Sequence, residues 1–223
     1  CPVIVRLIKL QFPDLIEMLI PFKSPVELLA EKIEKKFKEE KNIIPDIFFL
    51  TPCPAKLTTV KRSIGQETSF LTGAIGVENI YQKIYESLSE IELDRYEKQE
   101  LISLANLWGS EGGEENILRS WQDIKTTSVS GIREVKKVLN EIERNNITEK
   151  IRYFELTSCI DGCIGGVLNV INSFQAKFNL EERIKNIRRT LVAENLELEA
   201  ESDEYYNFSL SKEISADNVS KLD

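Results

Sequence analysis

Apolar residues at Val3, Leu7 and Ile8 recur at helical spacing behind Pro2, a residue suited to the first helical turn, and predict a helix ending before Pro13. Residues 24–27 (SPVE) place a glutamate three positions after a serine, with proline between them. This reads as a capping box that opens a long helix to about residue 41. The short apolar run at residues 46–51 (DIFFLT) predicts a buried strand with Cys53 just beyond its C-terminal end. Residues 57–62 extend the sheet or form a loop, residues 77–88 predict an amphipathic helix, and the charged segment after them is helical at most. Across residues 130–144, Ile132, Val135, Val138, Leu139 and Ile142 stand against Arg, Lys and Glu, the pattern of a helix with one apolar face that Asn145 and Asn146 end. Residues 151–156 predict a second strand delivering Cys159 and Cys163, and residues 179–182 can cap a helix running to about residue 191.

Helix, strand and loop thus alternate, which predicts an α/β fold with a mostly parallel sheet flanked by helices. Ligand loops in such sheets gather at the C-terminal ends of the strands, where the pattern puts three of the cysteines. The glycines at residues 109–113 (GSEGG) break the chain and read as a connector rather than a ligand cradle. No internal repeat is evident. From residue 197 the chain is acidic and loses periodicity, so residues 197–223 read as a tail or linker whose charge serves solvation.

Composition narrows the function classes. With 223 residues, 42% apolar and 30% charged, one ordinary domain fits and a second full domain does not. A net charge of −8 lacks the clustered cations of a nucleic-acid footprint, so proteins are the expected partners. No apolar run reaches the roughly 18–20 residues that span a bilayer, and nothing resembles a secretory signal, so a cytoplasmic location is expected. The chain has no histidine, so redox or proton chemistry must use a cofactor, cysteine, carboxylate or lysine.

The four cysteines carry the candidate chemistry. Cys159 and Cys163 lie four apart in residues 154–166 (FELTSCIDGCIGG), Cys53 lies in residues 51–56 (TPCPAK), and Cys1 precedes a proline. Thiolates select iron–sulfur clusters, zinc or copper(I), and the count alone does not choose among them. Zinc sites usually take two close pairs, whereas one close pair joined by two distant single cysteines suits a cluster held between several loops. Gly162, Gly165 and Gly166 would let backbone N–H groups approach its sulfides. The plainer reading is four buried small hydrophobes, and disulfides are disfavoured in a chain with an ample core and no sign of secretion.

Taken together, Cys1-Pro2, the TPCPAK segment and the run from Glu155 to Gly166 resemble, in order and spacing, the three cysteine motifs of the iron-only (FeFe) hydrogenases, in the C-terminal part of their large subunit. The segment at residues 12–25 (FPDLIEMLIPFKSP) resembles the stretch after the first motif, and the similarity runs to about residue 185. The resemblance implies that Cys1, Cys53, Cys159 and Cys163 hold a 4Fe-4S cluster, and that Cys163 also bridges to a diiron subcluster carrying CO and cyanide. Lys56 matches the lysine that contacts a cyanide ligand. It further implies that residues 1–196 are the C-terminal part of an H-cluster domain whose N-terminal lobe is absent, with a ferredoxin-like electron donor or attached redox and signalling domains as partners. Thr59 stands where the family commonly carries a glutamate on its proton route, Thr157 where methionine is frequent and Val167 where glycine is kept. These departures spare the cysteines and thin the proton-moving groups, so the chain looks closest to the sensory branches. Hydrogenase chemistry, its sensing, and a plain 4Fe-4S electron-transfer module all remain compatible with this pattern.

Overall fold

Among the described residues, two parallel β-α-β units rather than one continuous sheet carry the architecture. The computed structural model describes residues 1–88, 90, 104–121, 123–147 and 151–187; the expected tail at residues 197–223 lies outside them. Strand β1 (Phe48–Thr51) runs through helix α3 (Pro54–Lys61) to β2 (Gly73–Gly76), pairing Phe48 with Gly73 and Thr51 with Gly76. Strand β3 (Thr126–Ser130) runs through helix α6 (Ile132–Glu143) to β4 (Tyr153–Thr157), pairing Thr126 with Tyr153 and Ser130 with Thr157. Around them lie helices α1 (Pro2–Gln11), α2 (Pro25–Lys41), α4 (Val77–Leu88), α5 (Gly113–Trp121) and α7 (Ser173–Ile187). The expected α/β class with parallel pairing holds.

The core joins the start of the chain to the second unit. Ile4 and Ile8 of α1, with Phe12 and Leu15 beyond it, pack against Val135, Leu139 and Ile142 of α6, and Val129, Phe154 and Leu156 of the β3–β4 pair close the cluster. Val135 and Leu139 are fully buried, as the one-sided apolar face predicts. Packing of α1 therefore fixes Cys1 beside β4.

Several expectations are corrected. Residues 57–61 are neither sheet nor loop, because α3 occupies residues 54–61 with Pro54 in its first turn, and Arg62 caps it. The strand at residues 48–51 is buried only at Thr51, while Phe48 and Leu50 are exposed. Helix α2 begins at Pro25 as expected, but Ser24 makes no side-chain cap bond. Glu27 instead accepts the Ser69 hydroxyl at 2.6 Å and the Phe70 N–H at 3.1 Å, because the strand-delivering loop offers a buried carboxylate better partners than its own helix end. The last helix starts at Ser173, before the predicted cap.

Candidate metal centre

Cys53 owes its place to the turn from β1 into α3. The hydroxyl of Thr51, fully buried, accepts the Cys53 N–H at 3.2 Å. The Cys53 carbonyl in turn accepts the N–H groups of Lys56 at 3.1 Å and Leu57 at 3.4 Å, opening the helix. Cys53 is itself buried. One turn on, the Lys56 ammonium lies 3.7 Å from the Cys163 sulfur and 5.7 Å from the centroid of the Phe49 ring, so a cation is held between a thiol and an aromatic face.

The second cysteine loop leaves β4 and folds back sharply. Asp161 (φ 63°) and Gly162 (φ 82°) both take the left-handed conformation, and a 3-10 turn follows over Gly162–Gly165. At Gly162 the requirement is doubly strict, because a Cβ there would meet the Glu111 nitrogen at 2.7 Å. The glycine segment at residues 109–113 is thus more than a connector: it lies against the cysteine turn, and the Glu111 N–H donates to the Asp161 carbonyl at 3.1 Å. On the far side, the Leu168 N–H donates to the Pro52 carbonyl at 3.1 Å, tying the turn to the Cys53 segment.

The sequence-predicted residues are brought into one region. Cys1 Sγ lies 3.9 Å from the Ser158 hydroxyl, which lies 3.9 Å from Cys159 Sγ. The Cys159 thiol is within electrostatic reach of Cys53, Cys163 and Lys56. Burial pushes the Cys159 thiol above its ordinary pKa, against the bond from Ser158. All four cysteines are free thiols, and Cys1 is exposed. Among the described residues no three Cys, Asp or Glu side chains are gathered tightly enough to share a single metal ion. A recess of about 330 Å³ opens beside this region, walled by Phe49, Leu50, Pro52, Lys56, Cys163 and Asn169, among others. Ser158 and Asn169 have no counterpart among the sequence-predicted residues, since single polar residues beside cysteine or in a loop carry no signal of their own.

A buried carboxylate braces the same region from behind. Glu155 reaches from β4 to the first turn of α5, where it accepts the N–H groups of Gly112 at 3.1 Å and Glu115 at 2.8 Å. Beside it, the Tyr153 hydroxyl donates to Glu114 and the Thr126 hydroxyl to Glu115, both at 2.8 Å. Burial raises the Glu155 carboxyl above its ordinary pKa; the Glu115 and Gly112 N–H groups oppose this, and the nearby charges of Glu114 and Glu115 add to it. A raised folded-state value means that its stabilising contribution is complete below the ordinary carboxyl pKa of about 4.3 and is lost as pH rises through the folded value. The Glu155→Gln variant should lack this part of the decline in urea midpoint from acid toward neutral pH. It should also lose about 1–3 kcal/mol at every pH, as one backbone N–H faces an amide donor. Parallel curves of midpoint against pH for the two proteins would refute the assignment.

The family model described as "Iron only hydrogenase large subunit, C-terminal domain" matches residues 1–69 and 58–167. Among solved structures, an FeFe-hydrogenase studied for oxygen inactivation through modification and degradation of its H cluster 2Fe subcluster aligns with a TM-score of 0.63 and 16% identity, over 93% of this chain and 73% of that one. A variant of FeFe-hydrogenase HydA1 from Chlamydomonas reinhardtii aligns with a TM-score of 0.57 and 15% identity, over 87% and 71%. HydA(deltaEFG), studied for stepwise H-cluster assembly, aligns with a TM-score of 0.58 and 16% identity, again over 87% and 71%. No curated protein matches. At such identities the structures establish the fold, and the family model reaches across well over half of the sequence. With its cysteine loops set on parallel β-α-β units, this chain belongs to the family defined by the C-terminal domain of the iron-only hydrogenase large subunit.

Proposed function

We propose that Cys1, Cys53, Cys159 and Cys163 hold a 4Fe-4S cluster, and that the recess beside Lys56 and Cys163 accepts a diiron subcluster, making an H-cluster-type centre. The observation that carries this reading is the 3.7 Å approach of the Lys56 ammonium to the Cys163 sulfur at the recess wall. A plain cubane needs its thiolates but no cation at that point, whereas an anionic cyanide-bearing group does. Such a centre, when bound, supplies reversible exchange among protons, electrons and dihydrogen. The chain's own part is to present soft thiolates, set a cation beside the anionic group and bring backbone N–H groups near the sulfides.

Within that chemistry we favour a slow, sensing role. Thr59 donates its hydroxyl to the Ala55 carbonyl at 2.9 Å and receives Arg6 at 3.4 Å, so it is a committed, non-titrating group. Proton transfer by a positioned acid or base is commonly worth about 10²- to 10⁴-fold in rate. A ferredoxin-like donor or an attached signalling domain would be the partner, and the cytoplasm the setting.

The test is infrared spectroscopy of protein produced with the family's cofactor-maturation machinery, in which CO and cyanide bands are expected. In Lys56→Ala the iron and sulfide of the cubane should stay, since lysine is no thiolate ligand, while those bands disappear. Bands unchanged in the variant would overturn the role given to Lys56. Cubane iron without such bands in the parent would leave a plain 4Fe-4S module.

A further inference from the structure

Asn169 commits its carboxamide to the cysteine turn. Its Nδ2 donates to the carbonyl of Cys163 at 3.2 Å and to that of Ile164 at 2.8 Å. Its backbone N–H closes on the Gly166 carbonyl at 3.0 Å, and the Gly166 N–H returns to the Cys163 carbonyl, also at 3.0 Å. The Cys163 carbonyl thus takes two donors, one of them from a side chain that is half-buried in the recess wall with Lys56. A short 3-10 turn has few internal bonds with which to hold its own direction, so an outside donor spanning two successive carbonyls restrains it.

Resting on the reading of Cys163 as a cluster ligand, we propose that Asn169 is the positioning residue of Cys163, holding its backbone toward Lys56 and keeping two carbonyl dipoles engaged beside the centre. Removing the Asn169 amide takes one donor from the Ile164 carbonyl and one from the Cys163 carbonyl, which keeps the Gly166 N–H. A carbonyl oxygen that loses a donor turns more negative potential on its surroundings, which favours the more oxidised, less negative form of a cluster and lowers its reduction potential. The same loss loosens the turn that carries the sulfur.

The experiment uses the full chain loaded anaerobically with ferrous iron and sulfide, comparing the parent with Asn169→Leu and Asn169→Gln. In the leucine variant we expect about a tenfold shift of the one-electron equilibrium toward the oxidised form, which is about 59 mV. Cluster loss to a chelator should be about tenfold faster. The glutamine variant, with the same donors on a longer arm, should recover part of both. In cluster-free protein, alkylation of Cys163 relative to Cys159 in the same molecule should rise in the leucine variant. An unchanged potential together with an unchanged labelling ratio overturns the proposal, even if the leucine variant sheds its cluster faster, because that result describes general stability alone. Should the parent take up no cluster, the function proposed above falls, and the labelling ratio by itself decides whether Asn169 positions Cys163. If circular dichroism shows the leucine variant unfolded, Asn169→Ala carries the same comparison.

Discussion

Cys163→Ser is expected to abolish stable iron–sulfide loading, with losses larger than the roughly 10- to 100-fold that removal of a partner outside the ligand shell costs. Serine offers a hard oxygen that hardly ionises near neutral pH in place of a soft thiolate, and it leaves the Lys56 ammonium facing a group that cannot balance its charge. The measurement is iron and acid-labile sulfide per chain after anaerobic reconstitution, with electron paramagnetic resonance of the reduced protein. Loading equal to that of the parent would remove Cys163 from the ligand set. Cys1→Ser should have the mildest effect of the four serine variants, since Cys1 is the exposed member.

Gly166→Val should be nearly as damaging without touching a ligand. Gly166 has φ −63°, an ordinary value, so its need for glycine is one of space. A Cβ there would stand 2.5 Å from the Pro52 carbonyl oxygen and 3.0 Å from the Cys163 carbonyl oxygen. Any larger residue must therefore wedge apart the segments that carry Cys53 and Cys163, and break the bond from Leu168 N–H to the Pro52 carbonyl. Overpacking of this kind costs about 1–3 kcal/mol or more, and cluster loading should fall with it. Val167, next in sequence but 71% exposed, is the control: Val167→Ala should be silent. Urea denaturation and iron content read both effects, and a Gly166→Val protein within about 0.5 kcal/mol of the parent would contradict the packing described.

Part of this molecule is legible in its amino-acid sequence because the signal there is periodic or chemical. Helix α6 announces itself through five apolar residues on one face, and the cysteine loops through thiols that few other roles require. Strand β3 gives no such signal. Its residues are Thr-Thr-Ser-Val-Ser, and Thr126 is buried by donating its hydroxyl to Glu115 rather than by being apolar. Helix α3 hides for a related reason: none of its residues is buried, so no stripe marks it. At Glu27 the local pattern is real and its use is not, since the carboxylate serves residues 42 and 43 positions away. Asn169 belongs with these, because hydrogen bonds between loops leave no periodic trace in a sequence.

The division into two β-α-β units acquires a thermodynamic meaning once the origin of each thiol is considered. Cys53 comes from the unit built on β1 and β2; Cys159 and Cys163 come from the unit built on β3 and β4, and Cys1 stands at the start of a helix packed on that second unit. A cluster held by all four would be a cross-link between the two units, so its binding energy would become a shared term in their cooperativity. Loaded protein would then melt as one body, and stripped protein would have only the contacts between its halves to keep them in step.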